Sequence, residues 1–293
     1  VLRQGSTKPL IEGMTADAIL DRLDAPILRQ GPEVIEWHCV RNDHSAMAEA
    51  GQWRDLLDAL CYADQDRTMA SGGLRVATLI SEGVRTRLIA ALERQDWPAA
   101  RAEVARLAAV AEMHPESYGA AHLLAQAQLD LACALQDAAT QTTLSRDLLA
   151  ESATHFAAAE RLLTLFDPIE EMSPLLAGTR YLLVRGIEEG ASLCRDWFED
   201  WCDLDPLDAR VHATHAIHML PDWFGTLDGF EKAARRAALM TQETTGKAAY
   251  AIFHLSAAEH RATRESVGLF DKSFMGKFVV QGRDAEKVLN RIS

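Results

Sequence analysis

Three observations on the 293-residue chain predict an all-α fold. Apolar residues recur at helical spacing through nearly every segment from Thr15 to about His254. Gly and Pro are scarce, at 17 and 9 residues, which disfavours a turn-rich sandwich or barrel and suits long helices. Pro115, Pro168, Pro174, Pro206 and Pro221 fall between the periodic segments, each marking a helix boundary. Apolar residues make up 48% and charged residues 25%, enough for a sizeable core and too apolar for wholesale disorder.

The elements follow in order. At 45–62 the text SAMAEAGQWRDLLDALCY places Gly51 and Trp53 at a helix joint, followed by Leu56, Leu57 and Leu60. Segment 73–95 carries Val76, Leu79, Ile80, Val84, Leu88, Ile89 and Leu92 on one face and reads as a single helix. In 98–112, Ala100, Val104, Leu107 and Ala108 form a stripe opposite Arg101 and Arg106; Asp96 is placed to cap this helix and Pro98 sits in its first turn. Segment 115–135 repeats the pattern, and further helices are predicted at about 143–165, 173–189, 190–203, 206–219, 227–241 and 246–256. Short links between helices of this length make neighbours antiparallel, a series of helical hairpins.

A large residue with Gly at the hairpin joint, small Ala residues where helices touch and a closing Pro recur at 45–62, 92–115 and 197–206. These pieces resemble tetratricopeptide repeats. The resemblance covers about residues 45–256 and implies a degenerate tetratricopeptide-like α-solenoid; the unequal spacing of the closing prolines keeps a non-repetitive helical bundle as the competing architecture. Residues 1–256 are thus expected to form one helical domain, and the solenoid reading implies a non-catalytic scaffold whose concave surface binds a peptide or protein.

Residues 257–293 break the pattern, with a helix at 257–266, an alternating strand around Gly276–Gln281, a Gly-Arg-Asp turn and a helix opening at Asp284. Glu259, His260, Ala262, Arg264, Val267 to Asp271, Ser273, Gly276, Lys277, Val280, Gly282, Asp284, Ala285, Leu289, Asn290 and Arg291 match a family pattern. This segment resembles the start of the folate-binding, aminomethyltransferase-type domain of dimethylglycine and sarcosine dehydrogenases, kin of the glycine-cleavage T-protein. The resemblance implies an alternative function, a fragment or fusion related to a folate-dependent enzyme. It places the folate pocket and catalytic acid beyond this opening segment, so no catalytic and no cofactor residue is assigned, and no cofactor is expected. A flavin-binding G-x-G-x-x-G is not found in the sequence.

Few constellations could carry chemistry. His212, His215 and His218 stand three apart in H-A-T-H-A-I-H. At that spacing two imidazoles could share a metal, but the pattern is not the i, i+4 spacing of a zincin helix; packing or groove lining is the favoured reading and no metal is expected. Trp197, Trp201, His215 and Trp223 are the candidate partner-binding residues, with core packing between hairpins as the favoured alternative. Arg85, Arg87 and Arg235-Arg236 read as exposed helix faces.

Net charge −13 argues against nucleic acid as a partner, and no apolar run is long enough to cross a membrane. Five scattered cysteines, Cys39, Cys61, Cys133, Cys194 and Cys202, read as buried free thiols in a reducing cytoplasm. The opening Val, with no apolar signal core after it, is expected to mark a processed product, an alternative start or a piece of a longer frame.

Overall fold

A computed structural model of the chain describes residues 31–141 and 145–265. These residues hold twelve α-helices, two 3₁₀ turns and no strand, only the single bridge Met69–Arg75. The all-α class holds over this range. The predicted strand around Gly276–Gln281 and the helix from Asp284 lie outside the described residues, as does the stretch from Thr15 to Gln30.

Helices α1 (Pro32–Glu49) and α2 (Trp53–Gln65) precede a 3₁₀ turn at Ser71–Gly73. Next come α3 (Val76–Val84) and α4 (Thr86–Glu93), two helices where the periodicity predicts one. Thr86 explains the break. Its hydroxyl donates to the Glu82 and Gly83 carbonyls, a back-bonding that bends helices, and Arg85 between them leaves helical geometry. Gly83 also has a tertiary role, since a Cβ there would collide with the Arg41 backbone, so α3 crosses α1 at its closest approach.

Helix α5 (Trp97–Met113) begins where expected, the Asp96 carboxylate accepting from Ala99 N at 3.2 Å. Helices α6 (Tyr118–Gln141) and α7 (Arg146–Leu163) form the most extensive helix pair. Helix α8 (Pro174–Leu182), capped by Ser173, runs into a 3₁₀ turn at Leu183–Arg185 and stops well short of the predicted residue 189. Gly186 follows that turn, and the Phe156 ring lies where a Cβ on it would stand. Helices α9 (Gly190–Leu204), α10 (Ala209–His218), α11 (Leu227–Met240) and α12 (Ala248–Glu265) complete the chain, α10 and α11 capped by Asp208 and Thr226. Helix α12 passes without interruption through the expected domain boundary at residues 256/257, and Ala257 packs in the core beside Phe253.

Helix α6 organises the packing. Leu123, Leu124, Ala127, Leu131 and Leu135 face a first core shared with α1–α5, while Tyr118, Ala125, Leu129 and Ala132 face a second core with Phe156, Ala159, Leu176 and Leu183. A helix apolar on all sides belongs in the interior. It touches α2, α4, α5, α7 and α8, whereas a solenoid element meets only its sequence neighbours. Hairpins are present, and the packing of this part of the molecule centres on α6; a regular row of stacked repeats is not borne out. A third core joins α8–α12 through Tyr181, Phe198, Trp201, Phe230 and Phe253.

Candidate functional site

The three histidines of α10 are all buried. His215 lies face to face with Phe198, ring centroids 3.9 Å apart, and its Nδ1 is 2.8 Å from the Tyr181 hydroxyl. The same hydroxyl lies 3.1 Å from Nδ1 of His218 and 3.2 Å from Sγ of Cys194. Tyr181 has one proton to donate, so at most one of the two imidazoles accepts from it and at least one presents Nδ1–H to the phenol oxygen. His212 instead sets its Nε2 3.2 Å from the Pro206 carbonyl. Two histidines are therefore engaged by a phenol and the third faces elsewhere, and no group of three or more metal-ligating side chains occurs among the described residues. Burial holds His215 down to about 3, with His218 and His212 adding to the shift, and His218 down to about 4, with Arg185 adding.

The tryptophans do not combine into one binding surface. Trp201 and His215 are buried, so neither is open to a partner; Trp201 packs on Tyr181 and on the bare face of Gly178. Trp197 is half-buried beneath the Arg180 guanidinium, 5.6 Å from the ring centre, and Trp223 lies 4.9 Å from that of Arg185. Cys39 is exposed, contrary to the expectation that every cysteine is buried; burial pushes Cys133 up to about 11 and Cys202 up to about 12. Cys202 is further raised by nearby acids.

The main polar concentration lies where the sequence reading placed only helix faces. A cavity of about 230 Å³ opens between α2, α3, α6, α8 and the α9–α10 junction. Arg75 and Asp205 form a bidentate ion pair in its wall at 2.7 and 2.5 Å, with both side chains buried. Arg75 also donates to the Arg67 carbonyl at 2.7 Å. Arg67 itself takes the left-handed conformation, φ 54°, and donates from Nε to the Leu204 carbonyl. Arg85, expected on an exposed face, is buried and paired with Asp130, which holds Gln126 at 2.9 Å. Thr78 on α3 and Arg85 in the break just beyond its end both lie on the cavity face.

Behind that face, His122 bridges Ser81 Oγ and Thr179 Oγ1, each at 2.8 Å. A serine hydroxyl against an imidazole is the layout of an activated nucleophile. Here burial, with the Arg85 charge behind it, holds His122 down to about 3, so the ring is a poor proton acceptor at neutral pH. Asp64 closes the other end, accepting from Ser173 Oγ, from Leu175 N at 2.9 Å and from Tyr118 OH at 3.3 Å. Burial outweighs these donors and pushes its carboxyl up to about 6. One signal for this site was present in the sequence: Ser81, His122 and Thr179 are polar residues on otherwise apolar helix faces.

Among the described residues no helix is long and apolar enough to cross a membrane. No curated protein and no solved structure matches the chain. Residues 207–293 match the family of the GCVT N-terminal domain, a span of less than a third of the chain that starts ahead of α10 and runs past α12. The aminomethyltransferase-like resemblance of the C-terminal segment is supported by this match, and the chain is similar to that family over this span alone.

Proposed function

We propose that the chain is a non-catalytic protein-binding protein, working in a reducing compartment. One observation carries the reading. Three connections meet at one end of the bundle, Gln65 donating to the Glu171 carbonyl at 3.1 Å and Arg67 to that of Leu204 at 2.7 Å. These segments expose Met69, Ile169, Met172 and Leu207 to water, and the last turn of α2 exposes Tyr62. Large apolar side chains exposed on neighbouring connections suit a protein partner. The test compares the partners co-purified from source-cell lysate by the full chain and by a Tyr62→Ser/Met172→Ser/Leu207→Ser variant of equal thermal stability. A protein recovered by the first and lost by the second is the expected result; identical recoveries would refute the reading.

The family match at residues 207–293 favours a second reading, a fragment or fusion related to a folate-dependent aminomethyltransferase. Calorimetric titration of the full chain with tetrahydrofolate tests it: saturable one-to-one heat supports the relation as a working one, and its absence at millimolar ligand removes it.

A further inference from the structure

Most of the large apolar side chains that the described residues expose belong to one end of the bundle. Polar contacts tie that end together. Tyr118 donates to the Cys61 carbonyl at 3.1 Å, Leu175 N to the Asp64 carboxylate at 2.9 Å and Arg67 to the Leu204 carbonyl at 2.7 Å. These contacts bring the C-terminal ends of α2 and α9 beside the starts of α6 and α8. Tyr62, Met69, Leu165, Ile169, Met172 and Leu207 are exposed there, and an exposed Met113 closes α5 just ahead of the connection into α6. Three of these seven side chains are methionines, whose unbranched thioether chains adapt to partners of different shape.

Charge narrows the partner class. In the stretches 62–69, 112–118, 164–173 and 203–208, the residues Asp66, Glu112, Glu116, Asp167, Glu170 and Asp203 are exposed carboxylates, and Glu171 is half-buried. Asp64, Asp205 and Asp208 belong to the same stretches but are buried, Asp205 paired with Arg75 and Asp208 with Arg210. Arg67 is the only Lys or Arg in the four stretches. Its guanidinium donates to the Gln65 and Leu204 carbonyls, and its charge is set against that of Asp64. The outward acids of this end therefore form a surplus of negative charge around apolar side chains. Size is compatible with an added helix. Packed helix axes stand about 8–10 Å apart, so the ends of α2, α6, α8 and α9 extend over roughly 20–30 Å, the length of a helix of about 14–18 residues.

We propose that the partner bound at this end is a basic amphipathic helix, its apolar stripe seated on the exposed methionines, Leu165, Ile169 and Leu207 and its Lys and Arg residues facing the exposed carboxylates. Anchors at i, i+3, i+4 and i+7 of such a helix supply the apolar contact, and adaptable methionines leave discrimination to charge. The proposal rests on the reading of this end as a protein-binding surface and adds the charge and the helical form of the partner.

The full chain is titrated against fluorescein-labelled peptides of about 18 residues, read by anisotropy. The probes are an amphipathic Leu/Lys helix, the same pattern written in Leu/Glu, and a Leu/Lys peptide of identical composition scrambled so that no apolar face forms. The Leu/Lys helix is expected to bind one-to-one at about 10 μM or tighter in about 50 mM salt and to weaken severalfold in about 300 mM, with the other two at least about tenfold weaker. Glu116→Lys/Glu170→Lys and, separately, Met69→Ser/Met172→Ser alter exposed side chains. Each is expected to weaken the Leu/Lys helix about tenfold and to leave the thermal midpoint within about 2 °C of the wild type. Equal binding of the scrambled peptide, preference for the Leu/Glu helix, or wild-type affinity in either variant would overturn the proposal. A dimer of the chain that Met69→Ser/Met172→Ser dissolves in sedimentation equilibrium would overturn it too, since a second copy would then be the occupant. The two readings fail separately. Lysate partners lost by the Tyr62→Ser/Met172→Ser/Leu207→Ser variant, with no preference for the Leu/Lys helix, leave protein binding standing and refute the basic helix alone.

Discussion

Acid should unfold this protein through its buried imidazoles. His122 and His215 are held at about 3 and His218 at about 4, against an ordinary histidine value of 6.5. Below that value the unfolded chain takes up three protons that the folded one refuses, so stability is complete above about pH 6.5 and falls as pH drops toward the folded values. At about pH 5 each histidine has removed about 2 kcal/mol, roughly 6 kcal/mol in all. Asp64 works in the opposite direction. Its folded value of about 6 lies above the ordinary 3.8, so the folded state binds its proton first as pH falls. It returns about 1.4 kcal/mol between about pH 6 and pH 5. The net loss is between about 4 and 5 kcal/mol, a large part of a typical 5–15 kcal/mol stability. Urea unfolding followed by far-ultraviolet circular dichroism at the two pH values measures it directly. His122→Gln keeps a polar bridge between Ser81 and Thr179 without a titrating ring and should shrink the loss by about 2 kcal/mol. Equal stability at both pH values, or an unchanged pH slope in His122→Gln, would refute the reasoning.

Other perturbations test the packing. Arg75→Ala leaves Asp205 buried without its cation and should cost about 3–5 kcal/mol in urea unfolding, whereas Arg75→Met/Asp205→Leu should recover most of that loss. Gly83→Ala places a methyl group on the Arg41 backbone and should lower stability by about 2 kcal/mol or more, although alanine is the better helix former. Phe253→Ala empties a fully buried site ringed by Phe198, His215 and Phe230 and should cost about 3–5 kcal/mol, a thermal shift readily seen by calorimetry. If that variant melts like the wild type, α12 is not an integral part of the core.

Where local chemistry decides, the sequence was readable. Asp96 caps its helix as expected, and the Pro-marked boundaries fall in connections or, for Pro174, at the first helical residue. The break between α3 and α4 was missed because it depends on Thr86 back-bonding and on how closely α1 approaches Gly83, and a distant partner does not alter periodicity. The packing around α6 left a bundle only as the competing architecture for the same reason: repeat-like spacing describes neighbours in sequence, while α6 also packs on α2 and α4. Trp197 and Trp201, like the histidines of α10, have a helical spacing common to packing and to binding, and only burial separates the two. The cavity was the least visible. Arg75 and Asp205 are 130 positions apart, and nothing near either residue announces the other.

That separation bears on how the chain folds. The first core draws on residues 48–135 and the third on residues 177–257, so most apolar contacts form within stretches of sequence that can assemble early and on their own. The cavity is tied together by long-range hydrogen bonds, Arg75 to Asp205, Arg67 to Leu204 across 137 positions, and Asp64 to Ser173 across 109. Contacts of that span carry the largest closure entropy, and these join polar groups and bury little apolar surface. They are expected to form last on the way in and to be among the first to release on the way out, as a partial opening distinct from global unfolding. Amide hydrogen exchange would register this as weaker protection at the helix ends around Asp64, Arg75 and Asp205 than at Leu131 or Phe253. The residues that shape the interior polar site are thus also expected to be where the first and third cores separate.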